Sequence, residues 1–146
     1  MGKTFLADTP GNYFHVNFSN ASVASNGADA VIASAAFVAP NNIKVTNVWF
    51  VPWADQSTKG TATTSATYKR INLLNGATSG TGTTIVASCN LTASVASRGS
   101  KAFSTTANNT LSSGQMLYFS ALTVGGTSND GTILQAGVLQ IEYQLL

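Results

Sequence analysis

The sequence predicts an all-β chain, an antiparallel, jelly-roll-like β-sandwich of about eight strands in one domain spanning residues 1–146. Three observations predict it. Apolar residues alternate with polar ones at period two in one segment after another. Glycine, proline and Asn-Gly pairs punctuate those segments at short intervals. No stretch sustains an apolar stripe at the helical period. The Ala-rich span from Ala28 to Ala39 could compete as a helix, but Val31, Ile32, Phe37 and Val38 do not fall on one stripe.

The first strand is Tyr13–Phe18, with Phe14, Val16 and Phe18 on one side. Ala30–Val38 is the second, bounded by Asn26-Gly27 and Pro40. Ile43–Val51 is a long third strand with apolar residues on both parities. Ile43, Val45, Trp49 and Val51 oppose Val48 and Phe50, so its far end is expected to be covered on both sides. Pro52 ends it, because proline cannot donate to a central ladder. After a polar loop from Asp55 to Ser65 comes a strand over Ala66–Leu74, then turns at Asn75-Gly76 and Gly80-Thr81-Gly82. Thr83–Cys89 resumes the β pattern. Within residues 90–113 only Lys101–Ser104 reads as a short edge strand, and the remainder as loop. Met116–Leu122 is a firm strand, Gly125–Gly131 a loop. The closing strand, Val138–Leu145, sets Leu139, Ile141, Tyr143 and Leu145 inward.

Composition excludes several functions. Charged residues make up 8% of the chain, seven Lys/Arg against five Asp/Glu, where an average soluble domain carries about 25%. Disorder is excluded by the 44% apolar content and the mean hydropathy of +0.15. A net charge of +2 is too small for phosphate-backbone binding, so no nucleic-acid partner is expected. One cysteine, Cys89, rules out an internal disulfide framework and reads as a small buried hydrophobe. No apolar run reaches the about 20 residues that cross a bilayer, and the opening residues resemble no secretion signal. Leu6 stands where N-myristoylation needs Ser or Thr. The expectation is a soluble, unprocessed chain without membrane partner.

Motifs of catalysis are absent or bland. Gly80-Thr81-Gly82 lacks the Lys-Ser/Thr of a phosphate loop and the third glycine of a dinucleotide site, so it reads as a turn. Gly2-Lys3-Thr4 has no strand before it. His15 has no acid or nucleophile beside it in sequence and reads as a surface or subunit-contact residue. The acids Asp8, Asp29, Asp55, Asp130 and Glu142 are scattered; only a pairing of distant ones, such as Asp55 with Asp130, would make a glycosidase. Asn129-Asp130-Gly131 offers too few oxygens for calcium. Asn-x-Ser/Thr sites at Asn17, Asn20, Asn90 and Asn108 match chance in a chain so rich in hydroxyls. No cofactor or metal is implied, and no enzymatic activity.

One asymmetry remains. Between Gln56 and Asn129 lie Lys59, Lys69, Arg70, Arg98 and Lys101 and no acid, either scattered solvated charge or a mildly basic docking face. Trp49, Phe50 and Trp53 around Pro52 pack a corner or anchor an interface.

The runs Ile43–Pro52, Tyr68–Gly76, Gly80–Ser88, Leu111–Leu117, Val124–Gly126 and Gly137–Tyr143 together resemble the small β-sandwich virion proteins of tailed bacteriophages. Those are decoration (cement) proteins or head fibres of the capsid. The resemblance covers residues 43–143 and rests on strand starts and glycine turns. It implies a jelly-roll protein of the virion surface, made in the host cytoplasm, that binds the outside of the shell and clamps the major capsid protein. It further implies self-association, as a homotrimer or else a dimer. The alternative within virion parts is a head-fibre or tail-tip module that binds a carbohydrate receptor. Residues 1–11 are expected to form an N-terminal arm on a neighbouring chain. The interface residues expected are Phe5, Leu6, Tyr13, Trp53, Lys69, Arg70, Arg98 and Lys101.

Overall fold

A computed structural model describes residues 12–18, 21–22, 30–31, 37–56, 68–92, 95–124 and 133–146. Six long strands carry the architecture: β1 (Asn12–Phe18), β5 (Ile43–Pro52), β6 (Tyr68–Asn75), β7 (Thr84–Leu91), β11 (Met116–Val124) and β13 (Gly137–Leu145). Seven two-residue strands accompany them: β2 (Ala21–Ser22), β3 (Ala30–Val31), β4 (Phe37–Val38), β8 (Lys101–Ala102), β9 (Ser104–Thr105), β10 (Thr110–Leu111) and β12 (Ile133–Leu134). All pairings are antiparallel.

One set of pairings nests about the β6–β7 hairpin, and the pairings of β5 with β13, β6 with β11 and β7 with β9 join the folded hairpin to itself. β1 pairs β13, β2 pairs β12, β3 and β4 pair β11, β5 pairs β8 and β10, and β6 pairs β7. The chain is therefore one long hairpin folded across itself, the order of a jelly roll. One sheet runs β1-β13-β5 with β8 and β10 along the outer side of β5; the other runs β11-β6-β7-β9 with β3 and β4 along β11. Between them lies a core of Val16, Ile43, Val45, Val48, Phe50, Ile71, Leu73, Val86, Cys89, Leu117, Phe119, Leu139 and Ile141, among others. The expected fold class is the observed one.

The second strand differs from expectation. Strand structure is described at Ala30–Val31 and Phe37–Val38, both on β11, and residues 32–36 lie outside the described residues. The span 90–113 holds more than one edge strand. β8 pairs β5 and β9 pairs β7, so Phe103 between them carries the chain from one sheet to the other and is buried in the core. Its N–H donates to Val48 O at 2.9 Å. β10 then caps the start of β5.

β5 is not covered on both faces in the way its two apolar parities suggested. Glu142 pairs Asn47 but Tyr143 pairs Val45, which leaves Thr46 as a bulge. The extra residue shifts the alternation by one. Ile43 and Val45 face the core before it, Val48 and Phe50 after it, while Trp49 and Val51 are only half-buried. Leu145 is also corrected: it pairs Ile43 but lies past the core and is 57% exposed. Gly137 is required where β13 crosses the end of β5, because a Cβ there would lie 2.5 Å from Val51 O.

The bulge leaves the Thr46 hydroxyl buried with no hydrogen-bond partner. Thr46→Val keeps the branched shape and removes the orphaned group, so it should stabilise the fold by about 1 kcal/mol. A melting temperature raised by about 2–4 °C would show it; a lower one would contradict it.

Candidate interface at one end of the sandwich

The strand ends bring three loops together at one end of the sandwich. β5 finishes there at Pro52, β13 begins beside it at Gly137, and residues 95–99 lead towards β8. Each loop is fixed by long-range hydrogen bonds. Trp53 N–H donates to Ala136 O at 2.9 Å, and Trp53 O accepts from Ser97 Oγ at 2.8 Å. Asp55 Oδ1 accepts from Ser97 N–H at 2.7 Å. Below them Gln56 and Val95 form a reciprocal backbone pair, and the buried Gln56 side chain accepts from Gln135 N–H at 2.8 Å through Oε1.

Arg98 completes the corner. Its N–H donates to Pro52 O at 2.9 Å, and Gly99 N–H closes the turn onto Ala96 O at 2.8 Å. The turn holds Arg98 at φ +63°, a left-handed conformation uncommon for a residue with a Cβ. The surrounding bonds over-determine it, as strained positions require. Above this scaffold the Trp53 side chain is 57% exposed, and Asp55, Ser97 and Arg98 are exposed as well. An exposed indole on a loop bonded to others that expose acidic, hydroxyl and basic residues suits contact with a partner surface or the apolar face of a sugar ring.

The other expected interface residues are dispersed. Phe5 and Leu6 lie outside the described residues, as do the expected arm and Lys59. Tyr13 is 48% exposed on β1, at the edge of its sheet. Lys69 and Arg70 are neighbours on β6 and so point to opposite faces of it. Lys69 is buried, and Arg70 is tied down by Nε to Asn90 Oδ1 (2.9 Å) and Nη2 to Tyr68 Oη (2.8 Å). Lys101 is half-buried on β8. The structure brings the Trp53 and Arg98 loops together through Arg98 N–H and Pro52 O, and among the described residues it does not gather Lys69, Arg70, Arg98 and Lys101 onto one face.

Ser97 and Gln56 escaped sequence reading because their partners lie about forty or more residues away and no local pattern marks them. Asp55 was visible only as one scattered acid; Asp130, its conceivable glycosidase partner, lies outside the described residues. Among the described residues no three His, Cys, Asp or Glu groups cluster as a metal site. Cys89 is buried, and desolvation pushes its thiol up to about 11. The Gly80–Gly82 segment is the turn joining β6 to β7, secured by Tyr118 Oη donating to Gly82 O at 2.5 Å.

Comparison with protein-family models, with curated proteins and with solved structures finds no match. The fold and the corner thus define a class and no more: an all-β, two-sheet sandwich that presents a fixed aromatic corner.

Burial lowers the Lys69 ammonium to about 8. The unfolded chain keeps this lysine protonated up to about 10.5, so between these values the unfolded state binds the extra proton and the native state gains stability as pH rises. Below pH 8 both states are protonated and the desolvation cost is fully felt. The stability of Lys69→Met relative to wild type should therefore fall steadily from pH 8 to 10.5 in denaturant titrations. A pH-independent difference would contradict the buried cation.

Proposed function

We propose that the chain is a structural virion protein that binds the outside of a phage capsid and reinforces contacts between neighbouring major capsid subunits. The observation that carries this reading is the Trp53 corner, an exposed indole on backbone bonded to two distant loops. A protein that grips a repeated partner needs such a preformed anchor, because immobilising a flexible one on binding would cost affinity. The jelly-roll order agrees with the fold that the resemblance implies. A chain with 8% charged residues is suited to a surface largely occupied by a shell and by other copies of itself.

A second reading is favoured by what lies beside Trp53. Ser97 Oγ donates to Trp53 O and Ser97 N–H donates to Asp55 Oδ1, so exposed polar residues share this end of the sandwich with an exposed indole, a combination that also suits a head-fibre or tail-tip module that takes carbohydrate. One variant separates the two. Trp53→Ala should reduce the protein's binding to shells lacking it by about thirty-fold, the loss of a buried aromatic anchor worth about 2 kcal/mol. Cosedimentation with such shells, and negative-stain imaging of the particles, measure it. Unchanged shell binding together with lost retention on host glycans would favour the second reading. Unchanged behaviour in both would remove Trp53 from either.

A further inference from the structure

The sheet edges of this protein are treated unequally. An edge strand presents unpaired N–H and C=O groups, and folds blunt such edges with very short strands, lysine, proline or bulges. Among the described strands the outer side of β5 carries only β8 and β10, the outer side of β11 only β3 and β4, and the outer side of β7 only β9, all two residues long. The fourth edge is β1. It is seven residues long, pairs β13 residue for residue without a register shift, and contains no charged residue, proline or glycine.

Its inner face is also incompletely covered. Phe14 pairs Ile141 and faces the core, yet it is only half-buried. Its ring lies 4.5 Å from that of Phe37 on the opposite sheet, and Phe37 lies 5.6 Å from Tyr143. These aromatics line the β1 side of the sandwich, and among the described strands none pairs with the outer side of β1. On the other face Tyr13 and His15 are exposed.

The residue pattern selects the occupant. Directly opposed residues of an antiparallel pair share one face, so an added strand must match the parity of β1. β1 matches itself when a two-fold axis passes through one of its residues. An axis through His15 overlaps the whole strand: Phe14 faces Val16 of the partner subunit, Tyr13 faces Asn17 of the partner subunit, and His15 faces itself. Apolar meets apolar on the core side at the centre of the strand, Asn12 falls opposite Phe18 of the partner subunit at its ends, and no charges oppose one another along the strand. We propose that two copies pair their β1 edges antiparallel about His15, joining two five-stranded sheets into one continuous sheet of ten. This selects a dimer over a trimer and does not depend on the proposed function.

The full-length chain tests it. Sedimentation equilibrium of the purified protein should give the mass of two 15.0 kDa chains. His15→Lys, at an exposed position, should weaken association at least about ten-fold with the circular-dichroism melt retained, since two like charges would meet on the axis. His15→Cys tests the register independently of that variant. With Cys89 buried, it supplies an exposed thiol that should cross-link to its own copy under mild oxidation. Tyr13→Cys alone should not cross-link, whereas Tyr13→Cys with Asn17→Cys should. A monomer at the highest soluble concentration, a trimer, or a dimer in which Tyr13→Cys cross-links and His15→Cys does not would overturn the proposal. Neither result would bear on whether Trp53 grips a shell or a glycan.

Discussion

The pairing of β13 with β1 on one side and β5 on the other is the constraint on which the rest of the structure depends. The last strand of the chain lies inside its sheet, so the first strand has no neighbour among the described strands until the last arrives. The other pairings of the nested set lie inside this one, down to the β6–β7 hairpin. Closing a long loop costs only slowly more than closing a short one. The outer pairs nonetheless become cheap once the inner ones have drawn their ends together. The geometry at the far end follows. Because β13 begins beside the end of β5, Ala136 O is available to Trp53 N–H, and the loop of residues 95–99 can cap Pro52.

The shortage of charge looks different once burial is considered. Simple alternation would cover one face of each sheet and leave the other wet. β6 and β11 do not follow it. Ile71, Leu73, Phe119 and Ala121 pack in the core, but Leu74, Asn72 and Ser120 from the alternate positions are buried too, Ser120 at 0% and Asn72 at 3% exposure. The middle of this sheet is covered on both faces, which Ser, Asn and Leu tolerate far better than Lys or Glu. Asn72 Oδ1 has no hydrogen-bond partner, so this second layer is less well satisfied than the core. Part of the charge deficit therefore belongs to the fold itself.

How much of this was legible in the sequence depended on length and locality. β13 announced itself because seven residues from Leu139 to Leu145 alternate without interruption, and β11 because a long apolar run rich in aromatic residues follows Gly114. β5 was legible as a strand but not in its phase. Ile43 and Val45 on one parity and Val48 and Phe50 on the other describe either two covered faces or one bulge, and only the pairing of Tyr143 with Val45 decides. A two-residue strand has no period to read, so β8, β9 and β10 were one edge strand and a loop. The corner was half legible. Trp53 after Pro52 was a visible anchor, whereas the Arg98 turn had no local signal, since the left-handed position falls on Arg98 and the glycine follows it.

The corner and the open edge together suggest why a small, charge-poor sandwich would be effective on a repeating surface. Phe18 at the end of β1 pairs Gly137, which pairs Pro52, so each Trp53 lies at that end of its own sheet. A two-fold through His15 reverses the second copy and would place its corner at the opposite end of the joined sheet, with the outer faces of both copies on the same side. One corner alone buries little more than an indole and its neighbours, and its affinity would be modest. Two corners on one rigid sheet make the second contact intramolecular, provided their spacing fits the repeat of the partner. The gain vanishes where the spacing does not fit. A continuous sheet joined through β1 would therefore give selectivity for an ordered array over isolated subunits, which the chemistry of a single exposed tryptophan could not supply.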